Sequence, residues 1–219
     1  MSDCKLCRCS GWLFWTGPDG LCRNCSNLAE TDMRQRASFA ESAQEAAQRT
    51  LNAQSKIANL DRAVSELQAL AGYEGKGIAT PVASAAMQLS RTEAERDALL
   101  LKTAREEAVE ALERVRDVPD AEERLKILDT YRLKLREYRA RCGDGPSIEI
   151  LEKRIRTASY RIRLSFRLEE ARQAEESSDA ERAKRLYAQA LDCLDKEGKS
   201  DPAYRKQRER ISKQLQVLG

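Results

Sequence analysis

The sequence of 219 residues contains no histidine. This absence excludes catalytic triads that depend on histidine, imidazole general bases and every metal site with a histidine ligand. Aspartate and glutamate are abundant, but they are scattered over amphipathic segments, and no pair has a spacing that specifies an acid and a base. We therefore expect no enzymatic activity.

Residues that favour turns and β-sheets are also scarce. Aromatic residues make up 5% of the chain, and there are only 10 Gly and 5 Pro. This composition argues against most all-β folds, and the abundance of Ala, Glu, Arg, Leu and Gln favours long helices. We predict a mainly α-helical fold with three domains: a zinc-binding module at residues 1–27, a long antiparallel helical hairpin or coiled coil at 28–117, and a helical bundle at 118–219.

Long apolar runs are missing as well. No stretch of 18 apolar residues is present, which predicts that the chain has no membrane span and no membrane partner. The first residues lack the basic and apolar segments of a secretory signal. The seven cysteines are an odd number, and with no export signal this favours a reducing, cytoplasmic location in which clustered thiols hold metal more often than they form disulfides.

The spacing of the N-terminal cysteines is the most specific pattern in the chain. Cys4 and Cys7 form one C-x2-C pair, and Cys22 and Cys25 form another after a gap of 14 residues. Two such pairs can direct four sulfur atoms to one point and complete a tetrahedral site for zinc. We predict one structural Zn²⁺ here, with a rubredoxin-like iron site and disulfides or free thiols as the alternatives.

The segment between the two pairs supports this interpretation. Residues 12–15 form a short strand candidate, residues 17–20 (Gly-Pro-Asp-Gly) form a strong turn, and a helix begins after the second pair. This order resembles a treble-clef zinc finger of the LIM-like and RING-like kind. The resemblance implies that both C-x2-C pairs bind zinc and that the module binds proteins or, in some cases, nucleic acid. Cys9 replaces the glycine that the family usually has, which leaves Cys7 and Cys9 as alternative ligands.

The aromatic residues of this module are candidates for partner contacts. Trp12, Phe14 and Trp15 alternate along the strand candidate, so at least one of them is expected to be exposed. An exposed aromatic side chain on a small rigid module is a contact point for a protein partner. We also expect the module to fold separately, so that Cys22→Ser would unfold it and leave the helices intact.

Heptad spacing predicts the long helices. One continuous helix is expected over residues 39–71, a glycine-rich loop at 72–77, and a second long helix with Thr80 as its N-cap and Pro81 at its first position. The seams are compatible with an intramolecular hairpin or with self-association. The loop lacks the spacing of a phosphate-binding loop, so no nucleotide site is expected.

A third helix is predicted to end near residue 142 and a fourth to begin at Ser147. Residues 160–168 alternate apolar and polar, as a strand does, but their helical flanks favour helix. Residues 124–167 hold 13 basic and 5 acidic side chains, a net charge of +8. This excess suggests a surface for nucleic acid or a solvated, ion-paired face. The candidate nucleic-acid contacts are Arg132, Arg136, Arg139, Lys153, Arg156, Arg163 and Arg167.

The C-terminal segment carries two weaker resemblances. Ala183, Tyr187 and Ala190 match the small, aromatic and small positions of a tetratricopeptide hairpin, and with the helix after Pro202 the segment resembles a microtubule-interacting-and-trafficking module. Both resemblances imply a protein partner. The sequence as a whole favours a non-enzymatic zinc-binding adaptor or scaffold protein, with a nucleic-acid-binding regulatory protein as the alternative.

Overall fold

The structure is a computed structural model that describes residues 3–10, 15–143, 145–197, 199 and 203–218. The described part is mainly α-helical, which confirms the predicted fold class. It contains no β-strand, and Thr16 and Cys22 form only an isolated antiparallel bridge. The helices are α1 (Arg23–Arg49), α2 (Ala53–Glu74), α3 (Ala85–Asp117), α4 (Ala121–Cys142), α5 (Pro146–Glu176), α6 (Ala180–Glu197) and α7 (Tyr204–Val217).

The predicted continuous helix over residues 39–71 is wrong, because the chain turns between α1 and α2. Thr50 and Asn52 adopt extended backbone conformations, and the Asn52 side chain accepts a hydrogen bond from the Ser55 N–H at 2.9 Å. Asparagine is a strong N-cap, and a β-branched threonine has a low helix propensity. These local preferences outweigh a heptad pattern whose members near the turn are small or polar.

The α1 and α2 helices pack against each other in antiparallel directions. Arg36 on α1 forms an ion pair with Glu66 on α2 at 2.9 Å, and the Tyr73 hydroxyl on α2 donates to Asp32 on α1 at 2.9 Å. Residues near the end of α2 therefore lie beside residues early in α1.

The loop after α2 begins at Gly75, three residues later than the predicted start at residue 72, and α3 also begins later than expected. Gly77 has φ +68°, a conformation that glycine adopts readily. The predicted N-cap at Thr80 is wrong, since the Thr80 hydroxyl donates within the loop to the Val82 carbonyl. At the start of α3, the Ala86 N–H instead donates to the Glu74 carboxylate at 2.8 Å.

Contacts divide the chain into two compact units, residues 1–100 and residues 101–219. The domain boundaries after residues 27 and 117 stay predictions. Separate folding of the N-terminal module also stays a prediction, although one cluster of buried residues joins its cysteines to α1, α2 and the start of α3. The buried members of this cluster are Cys4, Leu21, Cys22, Ala29, Met33, Ala40, Leu67, Leu70, Ile78 and Ala85.

The second unit contains α4 to α7 and the last part of α3. Asp120 caps α4 by accepting from the Glu123 N–H at 2.8 Å. Helix α4 buries Leu128, Tyr131, Leu135 and Tyr138. Residues 160–168 lie within α5, as predicted.

The last three helices share a second core. Helix α6 packs against both α5 and α7. The residues that suggested a tetratricopeptide hairpin are buried, but the family resemblance stays a prediction. The buried core members are Tyr160, Leu164, Ala171, Tyr187, Ala190, Leu194 and Ile211. In the described part of the chain, every helix is too short or too polar to cross a membrane.

Candidate metal centre

Four of the N-terminal cysteines converge on one point. The Sγ atoms of Cys4, Cys7, Cys22 and Cys25 all lie within 4.8 Å of one another, and those of Cys7 and Cys22 are 3.9 Å apart. Cys4 and Cys22 are buried, Cys25 is partly buried and Cys7 is exposed. These residues are the four predicted ligands.

The first C-x2-C pair is shaped by a tight backbone turn. The Arg8 N–H donates to the Cys4 carbonyl at 2.9 Å, and the Cys4 N–H donates to the Cys9 carbonyl at 3.2 Å. Arg8 has φ +55°, a left-handed conformation that costs free energy in a residue other than glycine. Cys9 thus supports the turn through its backbone, while its side chain is exposed and outside the described cluster.

The second pair lies where a turn leads into α1. The Gly17 N–H donates to the Leu21 carbonyl at 2.8 Å. The Asp19 carboxylate accepts from the Leu21 N–H at 3.1 Å and from the Ser26 hydroxyl at 3.0 Å, which links this turn to the first turn of α1. The Gly-Pro-Asp-Gly segment predicts this turn, but nothing in it indicates that Asp19 also accepts from Ser26 in α1.

The helix start supplies an environment that suits thiolates. Cys22 is the N-cap of α1, and Cys25 lies in its first turn. The exposed N–H groups and the dipole at a helix N-terminus favour negative charge. The N-terminal end of α1 thus lies at the cluster, where its dipole favours the negative charge of a bound four-thiolate site.

Hydrogen bonds perturb two of the thiols in opposite directions. The Cys22 N–H donates to Cys4 Sγ at 3.4 Å. This hydrogen bond, together with one from the backbone of Cys7, lowers the pKa of Cys4 to about 6. The pKa of Cys25 is raised to about 12. The hydrogen bond with the Cys22 thiol is the largest cause, and burial is the second. Crowded thiols resist full ionisation, and a bound cation offsets this resistance because it stabilises each thiolate.

The donor set can hold a metal ion. Four sulfur ligands at mutual distances below 4.8 Å suit a tetrahedral site, and such a site has no position left for water or a substrate. Closed sites with four cysteine ligands are typical of metal ions that stabilise a fold.

A lysine connects the cysteine cluster to the loop after α2. The Lys5 Nζ donates to the Gly77 carbonyl at 2.7 Å, and its backbone N–H donates to the Gly20 carbonyl at 3.0 Å. Its side chain crosses Gly20, where an added Cβ would lie 2.6 Å from Lys5 Cε. The sequence analysis missed this contact, because no local pattern relates residues that are 72 positions apart.

Of the predicted aromatic contacts, only Trp15 can be located. Its side chain is 88% exposed and borders a shallow groove that contains Pro18, Arg23 and Asn27. Trp12 and Phe14 lie outside the described residues, as does most of the predicted strand.

The predicted basic contacts do not form one free cationic surface. Arg132 pairs with Asp129 at 3.4 Å, and Arg139 pairs with Glu152 at 3.3 Å. Arg136 is exposed, whereas Arg163 and Arg167 are partly buried, and Arg167 donates to Gln189. Four basic residues line another groove, together with Glu149 and Glu152. Its basic residues are Arg139, Lys153, Arg156 and Lys196.

Comparisons with known proteins add no relative. No protein-family model, no curated protein and no solved structure matches the chain. Any statement about function must therefore be argued from the chain's own residues.

Proposed function

We propose that the chain is a non-enzymatic adaptor or scaffold protein whose first unit is stabilised by one structural Zn²⁺. The convergence of the four cysteine sulfur atoms carries this proposal. Zinc suits the site because the donors are all sulfur, and four thiolates complete its preferred tetrahedron. With no open coordination position, the metal would contribute folding free energy and no catalysis.

Partner binding is the activity that the exposed features of the first unit favour. Trp15 exposes a large aromatic surface beside the short segment that the cysteines hold in place. Tryptophan and arginine are enriched among residues that dominate protein–protein affinity. A metal-organised turn would present Trp15 and Arg23 in a fixed arrangement at low entropic cost.

The zinc content and the role of Trp15 can be tested with the full chain. Elemental analysis should find one zinc ion per chain, and affinity capture with quantitative mass spectrometry should identify a partner that Trp15→Ala loses. Leu51→Ala is the matched control, because Leu51 is fully exposed in the turn between α1 and α2. Absence of bound metal, or equal recovery of every partner by both variants, would contradict the proposal.

A nucleic-acid-binding role is the second candidate, and the groove with four basic residues favours it. Arg139, Lys153 and Arg156 belong to the predicted set, and Lys196 adds a further positive charge. Neutralising phosphates would make the affinity fall with salt, with a log–log slope of about −0.9 per phosphate on duplex DNA. A gel-shift titration over salt concentration tests this role, and no shift at low salt would exclude it.

A further inference from the structure

A second candidate site lies in the second unit, far along the chain from the cysteines. It is a pocket of about 360 Å³ between α5 and α7, and Tyr187 of α6 also lines it. This volume is at the lower end of the range for small-ligand sites and suits one or two amino-acid residues. The other lining residues are Leu168, Arg172, Glu175, Gln207, Arg210, Ile211 and Gln214.

The acidic group of the pocket already has partners. Glu175 accepts from the Tyr187 hydroxyl at 3.0 Å and from the Gln214 side-chain amide at 3.1 Å. Two protein donors therefore satisfy this carboxylate, which makes it a poor site for a cationic ligand.

The basic groups are less well partnered. Arg172 lies 3.5 Å from Glu169, and both side chains are at least half exposed, so this ion pair is weak. Within the described residues, Arg210 makes no ion pair. Burial and the Glu175 carboxylate raise the pKa of Tyr187. The positive charges of Arg172 and Arg210 both act in the opposite direction and lower it. Both guanidinium groups therefore lie within electrostatic reach of the same hydroxyl.

One residue that lines the pocket has a polar atom without a partner. The Gln207 Oε1 atom is buried and accepts no hydrogen bond from any described residue. A buried acceptor without a donor is costly, and a ligand that carries an N–H group would remove this cost. Leu168 and Ile211 add apolar surface beside it.

We propose that this pocket binds the C-terminal residue of a polypeptide, with an apolar side chain. The terminal carboxylate would lie between Arg172 and Arg210, the adjacent peptide N–H would donate to Gln207 Oε1, and the side chain would contact Leu168 and Ile211. The assignment of this ligand to a partner protein rests on the proposed adaptor function. The pocket is lined only by residues of the second unit, and Trp15 belongs to the first.

The test is a calorimetric titration of the full metal-loaded chain with acetyl-Ala-Ala-Leu. The form with a free carboxylate should bind at least about tenfold more tightly than the C-terminal amide, because the amide loses a charged hydrogen bond. Equal affinities for the two forms, or no heat of binding for either at millimolar peptide, would overturn the proposal. Equal binding by acetyl-leucine would identify a small acid as the ligand and would overturn the assignment to a polypeptide.

Variants separate this pocket from the rest of the surface. Arg210→Gln and Gln207→Leu should each weaken binding of the free carboxylate by about tenfold, whereas Arg205→Gln, an exposed change outside the pocket, should not. Trp15→Ala should leave peptide binding unchanged. Failure of the Trp15 test would therefore reject the adaptor function alone, and equal binding by Arg210→Gln and Arg205→Gln would reject the pocket alone.

Discussion

The two units of the chain contain buried clusters of different composition. The cluster around the cysteines contains two buried cysteines, three alanines and no aromatic residue among its fully buried members. The cluster of α5 to α7 contains two alanines and two buried tyrosines with leucine and isoleucine. Alanines make up a similar share of both clusters, so the difference lies in the cysteines of the first and the tyrosines of the second. Metal binding at the four cysteines would therefore add stability to the first cluster alone.

The cysteine cluster also contacts parts of the first unit that lie far from it in the sequence. Cys4 and Cys22 pack in the same core as Leu67 and Leu70 of α2, and Lys5 reaches the loop after that helix. The metal site is thus coupled to helices distant in sequence. We expect metal removal to affect α1 and α2 and to leave α5 to α7 folded.

The largest expected effect is that of removing one ligand. Cys22→Ser should abolish metal binding and unfold residues 3–100 in large part, because metal binding free energy and core packing are lost together. Limited proteolysis should then cut within α1 and α2 and release a resistant fragment from the second unit. Cys9→Ser is the control and should keep both the metal and the resistance to proteolysis. Intact α1 and α2 in Cys22→Ser would show that the cores are not coupled to the metal.

A truncation in the other core should have the complementary effect. Leu194 is fully buried among α5 to α7, and Leu194→Ala should lower the free energy of unfolding of that unit by about 2–5 kcal/mol. The metal content should not change. Val217→Ala removes apolar atoms from an exposed position and should be nearly neutral. Chemical denaturation with metal analysis checks both variants, and loss of the bound metal from Leu194→Ala would contradict the proposed independence.

The contact between Lys5 and Gly77 allows a smaller perturbation. Lys5→Ala should lower the stability of the first unit by about 0.5–1.5 kcal/mol, the usual contribution of one hydrogen bond, and should weaken metal retention against a competing chelator. Lys76→Ala removes an exposed lysine from the same loop and provides the control. Equal metal retention by both variants would mean that the loop does not support the site.

The smallest effect concerns Asp32 and its dependence on pH. The Arg36 guanidinium beside Asp32, with the Tyr73 hydroxyl, holds the pKa of this carboxyl below its ordinary value of 3.8. A lowered pKa in the folded state stabilises the fold above the unfolded-state pKa, and this contribution is lost as acid protonates the carboxylate. Asp32→Asn should therefore cost up to about 1 kcal/mol at pH 7, because the pair is partly exposed. Unfolding curves at pH 7 and pH 3 should show a larger cost at the higher pH.

The residues that could be predicted from sequence are those whose signals are local. The two C-x2-C pairs specify the four clustered cysteines, and the glycines at 75 and 77 specify a loop. Asn52 is an equally local signal for a helix start, but the heptad pattern outweighs it in the sequence and predicts one continuous helix over residues 39–71. The link from Lys5 to Gly77 and the shared core of Cys22 with Leu67 depend on tertiary packing, which no local pattern contains.

Hydrogen–deuterium exchange on the wild-type chain, measured by mass spectrometry with and without a metal chelator, tests the proposed coupling most directly. Chelation should remove most of the protection of residues 23–49 and 53–74 and leave that of residues 146–176 and 180–197 unchanged. Equal protection of α1 and α2 before and after complete metal removal would contradict a first unit that depends on its metal.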